Sequence, residues 1–317
     1  MPISDELGRL DGVMRERTES NIPLVTEVAH YIIQNGGKRL RPVLCLLACK
    51  LVGYSGEQAI YCAAGLEFIH TASLLHDDVI DHAEMRRGRP SANAKWGNHI
   101  SVLVGDFFYC RSSDIFTKTG QLAIVQLITD TITQTTEGEV FETIKSNDMD
   151  IQESDYLRII EDKTAVLFRA ACEVASVLGE VGEEFKSALR AYGTALGMAF
   201  QLADDYLDYI SDEAQLGKAR GTDLREGKLT LPLIAALREA TAVEQKIFKE
   251  ALMAERLDDA KFREVVSMLE KYGALEYTRQ RASDYAEDAK QALALFKPSL
   301  AKESLLTLAD YFVYRSQ

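Results

Sequence analysis

Proline is scarce, 6 in 317 residues, and tryptophan occurs once. So few prolines exclude long proline-rich linkers, and one domain over 1–317 is expected in place of several on spacers. Continuous β-branched runs bounded by turn residues are lacking, so no large sheet is expected. No apolar run approaches the about 20 residues that cross a bilayer. The opening MPISDELGRLDGVMRERTES mixes charges and has no apolar stretch of the kind a secretory signal needs. A soluble, cytoplasmic protein is the expectation. The five cysteines (Cys45, Cys49, Cys62, Cys110, Cys172) form no CxxC pair and no zinc spacing with histidine; they read as buried free thiols of a reducing compartment. An excess of positive charge is absent too: 36 Lys and Arg against 49 Asp and Glu leave a net charge of -13. Such a chain repels a phosphate backbone, which speaks against a nucleic-acid partner.

What is present is helical periodicity. Hydrophobic residues make up 47% of the chain and recur at helical spacing almost everywhere. The pattern predicts helices over Pro42–Val52, Gln58–Asp81, Ile100–Lys118, Leu122–Ser146, Glu153–Leu178, Glu183–Tyr209 and Leu231–Ala240, with several more from Val243 to Arg315. Loops are expected at 35–37, Arg86–Ala94, Asn147–Asp150 and Ser211–Lys228. The last is too long and glycine-rich to be a passive connection. The fold class is all-α.

One motif occurs twice. Asp77-Asp78-Val79-Ile80-Asp81 and Asp204-Asp205-Tyr206-Leu207-Asp208 both read DDxxD, and each closes a strongly apolar helical stretch. Residues four apart share a helix face, so Asp77 points with Asp81 and Asp204 with Asp208. Carboxylates stacked in this way repel each other unless a cation lies between them. Their hard oxygens favour Mg²⁺, which takes a few carboxylates and fills its shell with water and phosphate. One such cluster alone can also read as a solvated acidic helix end; two copies, each closing an apolar helix, point to a metal.

A set of basic residues answers them. Lys38, Arg39 and Arg41 follow a glycine pair in NGGKRLRP, just before a buried helix, where backbone can approach an anion. Arg86 and Arg87 come directly after the first aspartate cluster, and arginine suits bidentate phosphate contact. His70, seven residues before Asp77, lies on the same helix face one level deeper; a satisfied core histidine is the other reading. Lys163-Thr164, Gln201, Lys218 and Lys228 complete a second basic half, although each lysine alone would read as surface.

At these residues the sequence resembles the trans-polyprenyl diphosphate synthases, enzymes of the all-helical isoprenoid synthase fold. GGKRLRP, EFIHTASLLHDDVID, RRGRPSAN, EDKTA, FQLADDYLD and GKARGTDLREGKLTLP occur in family order from about Gly36 to Pro232. The resemblance implies that Asp77, Asp81, Asp204 and, further out, Asp208 hold Mg²⁺, about three ions per site in the family, while Asp78 and Asp205 support that shell. It implies allylic substrate at Arg86, Lys163, Thr164, Gln201, Lys218 and Lys228, and isopentenyl diphosphate at Lys38, Arg41, His70 and Arg87. A homodimer is implied as well.

In that family a growing chain runs down beside the first aspartate helix. Ala72 would lie roughly 7–8 Å beneath Asp77 at the helical rise. A bulky aromatic there would close the path early, whereas Ala72 leaves it open, with Ser73, Phe68 and Gly65 lining it. The pattern is similar to that of bacterial long-chain synthases, with octaprenyl diphosphate the expected product. Geranylgeranyl diphosphate is the alternative if a residue within Phe107–Phe116 forms a floor.

Overall fold

Helical periodicity becomes helix throughout the computed structural model, which describes residues 2–35, 37–146, 148–210, 220–254 and 257–314. The elements in chain order are α1 (Ser4–Thr18), α2 (Pro23–Gln34), α3 (Leu40–Leu51), α4 (Gln58–Ile80), β1 (Met85–Arg86), β2 (Arg89–Pro90), α5 (Ala92–Trp96), α6 (Asn98–Lys118), α7 (Leu122–Lys145) and α8 (Glu153–Ile160). A π-helical turn, Glu161–Ala165, leads into α9 (Val166–Leu178). There follow α10 (Glu183–Ile210), α11 (Thr222–Arg225), α12 (Leu231–Glu239), α13 (Ala242–Leu252), α14 (Asp259–Lys271), α15 (Ala274–Ala292) and α16 (Leu300–Tyr314).

Two compact units emerge. One comprises Met1–Thr133, Leu167–Gly193 and Ala292–Thr307; the other comprises Gln134–Val166, Thr194–Gln291 and Leu308–Gln317. In the first unit α4 packs against α1, α3, α5 and α6. It is apolar nearly all round, which is the pattern of a helix buried on every side, and Leu66, Phe68, Ile69, Ala72 and Leu75 are at most 1% exposed. Each large apolar side chain removed from water in this way contributes roughly 1.5–3 kcal/mol. In the second unit Tyr156, Ile159 and Ile160 of α8 join Leu202 of α10, Leu233 and Ile234 of α12, Phe248 of α13 and Phe262 of α14 in one cluster. Capping fixes where the later helices start: the Thr241 hydroxyl accepts from Glu244 N–H and Asp258 accepts from Lys261 N–H.

Several local features depart from the expectations. Periodicity over the first 34 residues is weak in α1, which was not anticipated; its acidic start (Asp5, Glu6) and basic end (Arg15, Arg17) complement the helix dipole, and Leu10 and Met14 are buried. Helix α2 opens on Pro23 at its first turn, where a missing N–H costs nothing. The helix expected over Glu153–Leu178 is interrupted by the π turn, and the loop expected at Arg86–Ala94 is a short antiparallel hairpin followed by α5. Four cysteines are buried as expected, but Cys110 is exposed on α6, because it falls on the outward side of a helix whose other side faces α4.

Among the described residues, no helix is long and apolar enough to cross a membrane.

Candidate functional site

The first aspartate motif divides at the end of α4. Asp78 turns inward, 1% exposed, and Arg86 meets it with Nη2 at 2.6 Å and Nε at 2.7 Å from the same Oδ1. Asp77 is half-buried and Asp81 exposed, one turn apart, the Asp81 N–H donating to the Asp77 carbonyl at 2.8 Å. Asn93 donates to the carbonyls of Asp78 and Ala83, both at 3.1 Å, and so fastens the helix end to the segment that follows.

The RRGRP segment folds as it does because Arg87 and Gly88, the two central residues of the hairpin, both take positive φ (53° and 75°). That is the signature of a two-residue type I′ turn, which fits the twist of paired strands. A non-glycine residue in that region costs about 1–2 kcal/mol, so the turn spends stability on where it puts Arg87. Its guanidinium lies over Gly37: a Cβ built on that glycine would stand 2.8 and 2.9 Å from Nη1 and Nη2. The glycine-led turn and the hairpin tip are thereby brought together. Arg89 donates to Asn35 Oδ1 at 2.8 Å and Tyr31 to the Pro90 carbonyl at 2.9 Å, holding the hairpin against α2.

Beneath them the arginines separate by role. Arg39, with φ of 49°, is tied to Glu67 at 2.9 Å and to the Ile33 carbonyl at 2.9 Å, so it serves as an anchor. Arg41 lies 5.0 Å from the Phe168 ring centroid. Burial, and secondarily Arg87, pulls its pKa down to about 10 against the opposing pull of Glu67, and it remains a cation at neutral pH. His70 is half-buried, and burial, reinforced by Arg41, Arg87, Arg86 and Arg39, holds its pKa well below the ordinary value, so it is neutral. Lys38 is exposed in the adjoining turn. Glu67, 4% exposed, escaped the sequence reading; the signal was a lone acid in the apolar run AAGLEFIH. The result is a cluster of arginines, two of them paired with Glu67 and Asp78, around a neutral imidazole, an arrangement suited to an anion.

In the second unit a cavity of about 160 Å³ is lined by Lys163, Thr164, Gln201, Asp205 and Lys228, five residues singled out from sequence. Tyr156, Lys145 and Asp223 line it as well and were not anticipated. The π turn carries Lys163 and Thr164 into place, and such turns recur at functional sites. The Lys163 ammonium sits between Glu139 at 2.8 Å and Glu142 at 2.6 Å, one turn apart on α7. Thr164 donates to Gln201 Oε1 at 3.1 Å, and Gln201 Nε2 donates to Asp205 Oδ1 at 2.9 Å. The Tyr156 hydroxyl donates to Asp205 Oδ2.

Asp204 is half-exposed, whereas Asp208 is fully buried. Asp208 Oδ2 accepts from the Asp223 N–H at 3.1 Å and its carbonyl from the Gly221 N–H at 2.9 Å, so it clasps the start of α11. The Lys228 N–H in turn donates to the Asp223 carbonyl at 2.8 Å, which sets that lysine beside the cavity. Lys218 lies outside the described residues.

The expected gauge residues fall between α4 and α6. Ser73 lies 3.3 Å from the Tyr109 hydroxyl, and Phe68 and Phe108, both fully buried, have ring centroids 5.3 Å apart. Lower down, a Cβ on Gly65 would stand 2.8 Å from Phe116 and 3.3 Å from Ile115, so the glycine is where α6 puts an aromatic ring against α4. Ala72 is fully buried above it.

A family model described as Polyprenyl synthetase matches residues 22–269. The octaprenyl diphosphate synthase of Escherichia coli K12 is 40% identical over 315 residues, 99% of this chain and 97% of that protein. The crystal structure of a decaprenyl diphosphate synthase from Rhodobacter capsulatus superposes with a TM-score of 0.94 at 40% identity, covering 99% of this chain and 97% of that one. A polyprenyl synthase from Caulobacter crescentus, crystallised with calcium and isoprenyl diphosphate, gives a TM-score of 0.94 at 38% identity over 99% of this chain and 96% of that one.

Proposed function

The chain belongs to the polyprenyl synthetase family, and on that premise we propose that it is a long-chain all-trans polyprenyl diphosphate synthase. It is a prenyltransferase that condenses isopentenyl diphosphate with an allylic diphosphate, farnesyl diphosphate being the expected starter, and extends it to octaprenyl diphosphate or a near neighbour for quinone side chains. The observation that carries the reading is the end of α4: Asp78 is held inward by Arg86, Asp77 and Asp81 remain at the helix end, and neutral His70, with arginines around it, lies seven residues back along the same helix.

The carboxylates fit a hard divalent cation. Asp77 and Asp81 are all-oxygen donors a turn apart, with Asp78 and Asp205 already engaged by Arg86 and by Tyr156 with Gln201. Asp77, Asp81 and Asp204 would hold Mg²⁺, about three ions by family expectation, whereas Asp208, expected from the sequence to join them, is fully buried and engaged at the start of α11, which fits a supporting part better than a ligand's. Bound there, the metal supplies neutralisation of the charge that grows on the departing diphosphate.

The chain's own residues do the rest. Arg86, Lys163, Thr164, Gln201, Lys218 and Lys228 hold the allylic diphosphate, and Lys38, Arg41, His70 and Arg87 hold that of isopentenyl diphosphate. The allylic C1–O bond breaks, C1 joins the terminal methylene carbon of isopentenyl diphosphate, and the proton lost from the new chain passes to the released diphosphate. No side-chain nucleophile is needed; placing the two partners and screening charge account for the acceleration. Buried apolar walls keep water from capturing the cation as an alcohol. His70, neutral among arginines, can donate one N–H to phosphate without adding to their repulsion.

We take 1–317 as one catalytic chain that acts in the cytoplasm as a homodimer, with no nucleic-acid partner. A shorter product, geranylgeranyl diphosphate, is the alternative reading, favoured by the Phe116 ring against Gly65. Turnover of the purified single chain with Mg²⁺, farnesyl diphosphate and labelled isopentenyl diphosphate tests the proposal. Condensation without a second polypeptide supports it, and dependence on another subunit would recast the chain as a non-catalytic partner.

A further inference from the structure

We infer that Tyr156 is a positioning residue for the diphosphate half-site of the second unit, acting through Asp205 and Gln201 on Thr164. The inference rests on the function proposed above. Four side chains form an unbroken run along the wall of the 160 Å³ cavity: Tyr156 of α8, Asp205 and Gln201 of α10, and Thr164 of the π turn. The Tyr156 hydroxyl donates to Asp205 Oδ2, Gln201 Nε2 donates to Asp205 Oδ1 at 2.9 Å, and Thr164 Oγ1 donates to Gln201 Oε1 at 3.1 Å.

The direction of each bond follows from the one before it. An ionised carboxylate only accepts, so Gln201 must turn its NH₂ towards Asp205 and its carbonyl towards Thr164. The Thr164 hydroxyl is then committed as a donor within the wall. What the wall offers the cavity is fixed accordingly: the second N–H of Gln201 and the lone pairs of Thr164. The first suits a phosphate oxygen, the second a water or a donor group of the ligand.

Asp205 is the pivot, and it is 1% exposed, where a carboxylate short of donors is costly. Tyr156, itself 3% exposed, supplies one of the two donors described for that carboxylate from a side chain, and it comes from a helix that otherwise contributes only apolar residues to the cavity. Without that O–H, the Asp205 carboxylate loses one of the contacts that fix its rotation, so Oδ1 no longer holds the Gln201 amide in one orientation and the Gln201–Thr164 bond is loosened in turn. Tyr156 therefore sets the orientation of a wall two side chains away, with no contact to the diphosphate required.

Tyr156→Phe removes the hydroxyl and keeps the ring. The expected result is a KM for farnesyl diphosphate raised about tenfold, the scale of one hydrogen bond to a charged group, with the KM for isopentenyl diphosphate nearly unchanged and a small drop in melting temperature from the lost buried hydrogen bond. In a Thr164→Val background the far end of the run is already cut, and the same change should cost less than about twofold, since residues of one network are not additive. An equal penalty in both backgrounds, an unchanged farnesyl diphosphate KM, or a parallel loss in both KM values and in melting temperature would each overturn the inference. Absence of wild-type turnover would instead sink the proposed function, and this inference with it.

Discussion

Arg86 holds Asp78 through one edge of its guanidinium, Nε and Nη2 both reaching Oδ1, at 2.7 and 2.6 Å. The pair divides labour within a motif whose three aspartates look alike in sequence. Asp78 is a brace between the helix end and the hairpin, and its neighbours are left to face outward. Asp78→Asn should therefore destabilise the fold by about 3 kcal/mol, the low end for breaking a buried pair, because Arg86 is about a third exposed. Asp77→Asn should change stability by less than about 1 kcal/mol while reducing turnover at least about a hundredfold. Urea unfolding alongside steady-state kinetics separates the two effects.

Gly37 makes room for the Arg87 guanidinium. Because that group is the far end of a flexible side chain, a methyl group on residue 37 would displace it and leave the backbone in place. Gly37→Ala is expected to raise the KM for isopentenyl diphosphate several-fold, with stability within about 0.5 kcal/mol of wild type. Equal losses in both substrates' KM values would contradict this assignment.

His70 titrates well below its ordinary value when folded, through burial and four arginines. Between that depressed pKa and about 6.5 the unfolded chain binds a proton that the folded one does not. Stability thus rises with pH across that window and falls as the solution is acidified through 6.5 and below. His70→Gln should flatten this part of the stability profile, measured by urea unfolding from pH 7.5 to 5.5. An unchanged slope would show that other groups cause it.

The gauge proposed between α4 and α6 gives a pair of opposite outcomes. Ala72→Tyr should truncate products, with a stability cost of about 1–3 kcal/mol from overpacking a fully buried site. Phe116→Ala should lengthen them by opening the space at Gly65, at a cost of about 3–5 kcal/mol. Chromatography of the dephosphorylated products reads both. Unchanged length in Ala72→Tyr would refute the path beside α4.

Much of this was legible in the sequence because it is periodic or repeated. Helical spacing foretold α4, α6, α7 and α10 to within a few residues, and the duplicated DDxxD with the basic segments singled out Lys163, Thr164, Gln201, Asp205 and Lys228, which line one cavity. What escaped depends on direction and partners. That Arg39 is an anchor follows from its pairing with Glu67, 28 positions away, which spacing does not encode. The π turn at Glu161–Ala165 is one extra residue in an otherwise regular helix and leaves the apolar pattern intact. Tyr156 reads as a core aromatic until Asp205 is seen against its hydroxyl. The burial of Asp208 comes from Gly221 and Asp223 folding back onto it, a loop event with no periodic trace.

The most direct test of the account is the length of the product made by the purified chain from farnesyl diphosphate and labelled isopentenyl diphosphate in the presence of Mg²⁺. The account predicts a metal-dependent product of octaprenyl length or close to it, lost on chelation and on Asp77→Asn. No condensation at all, or a series that stops at geranylgeranyl diphosphate however much isopentenyl diphosphate is supplied, would contradict it.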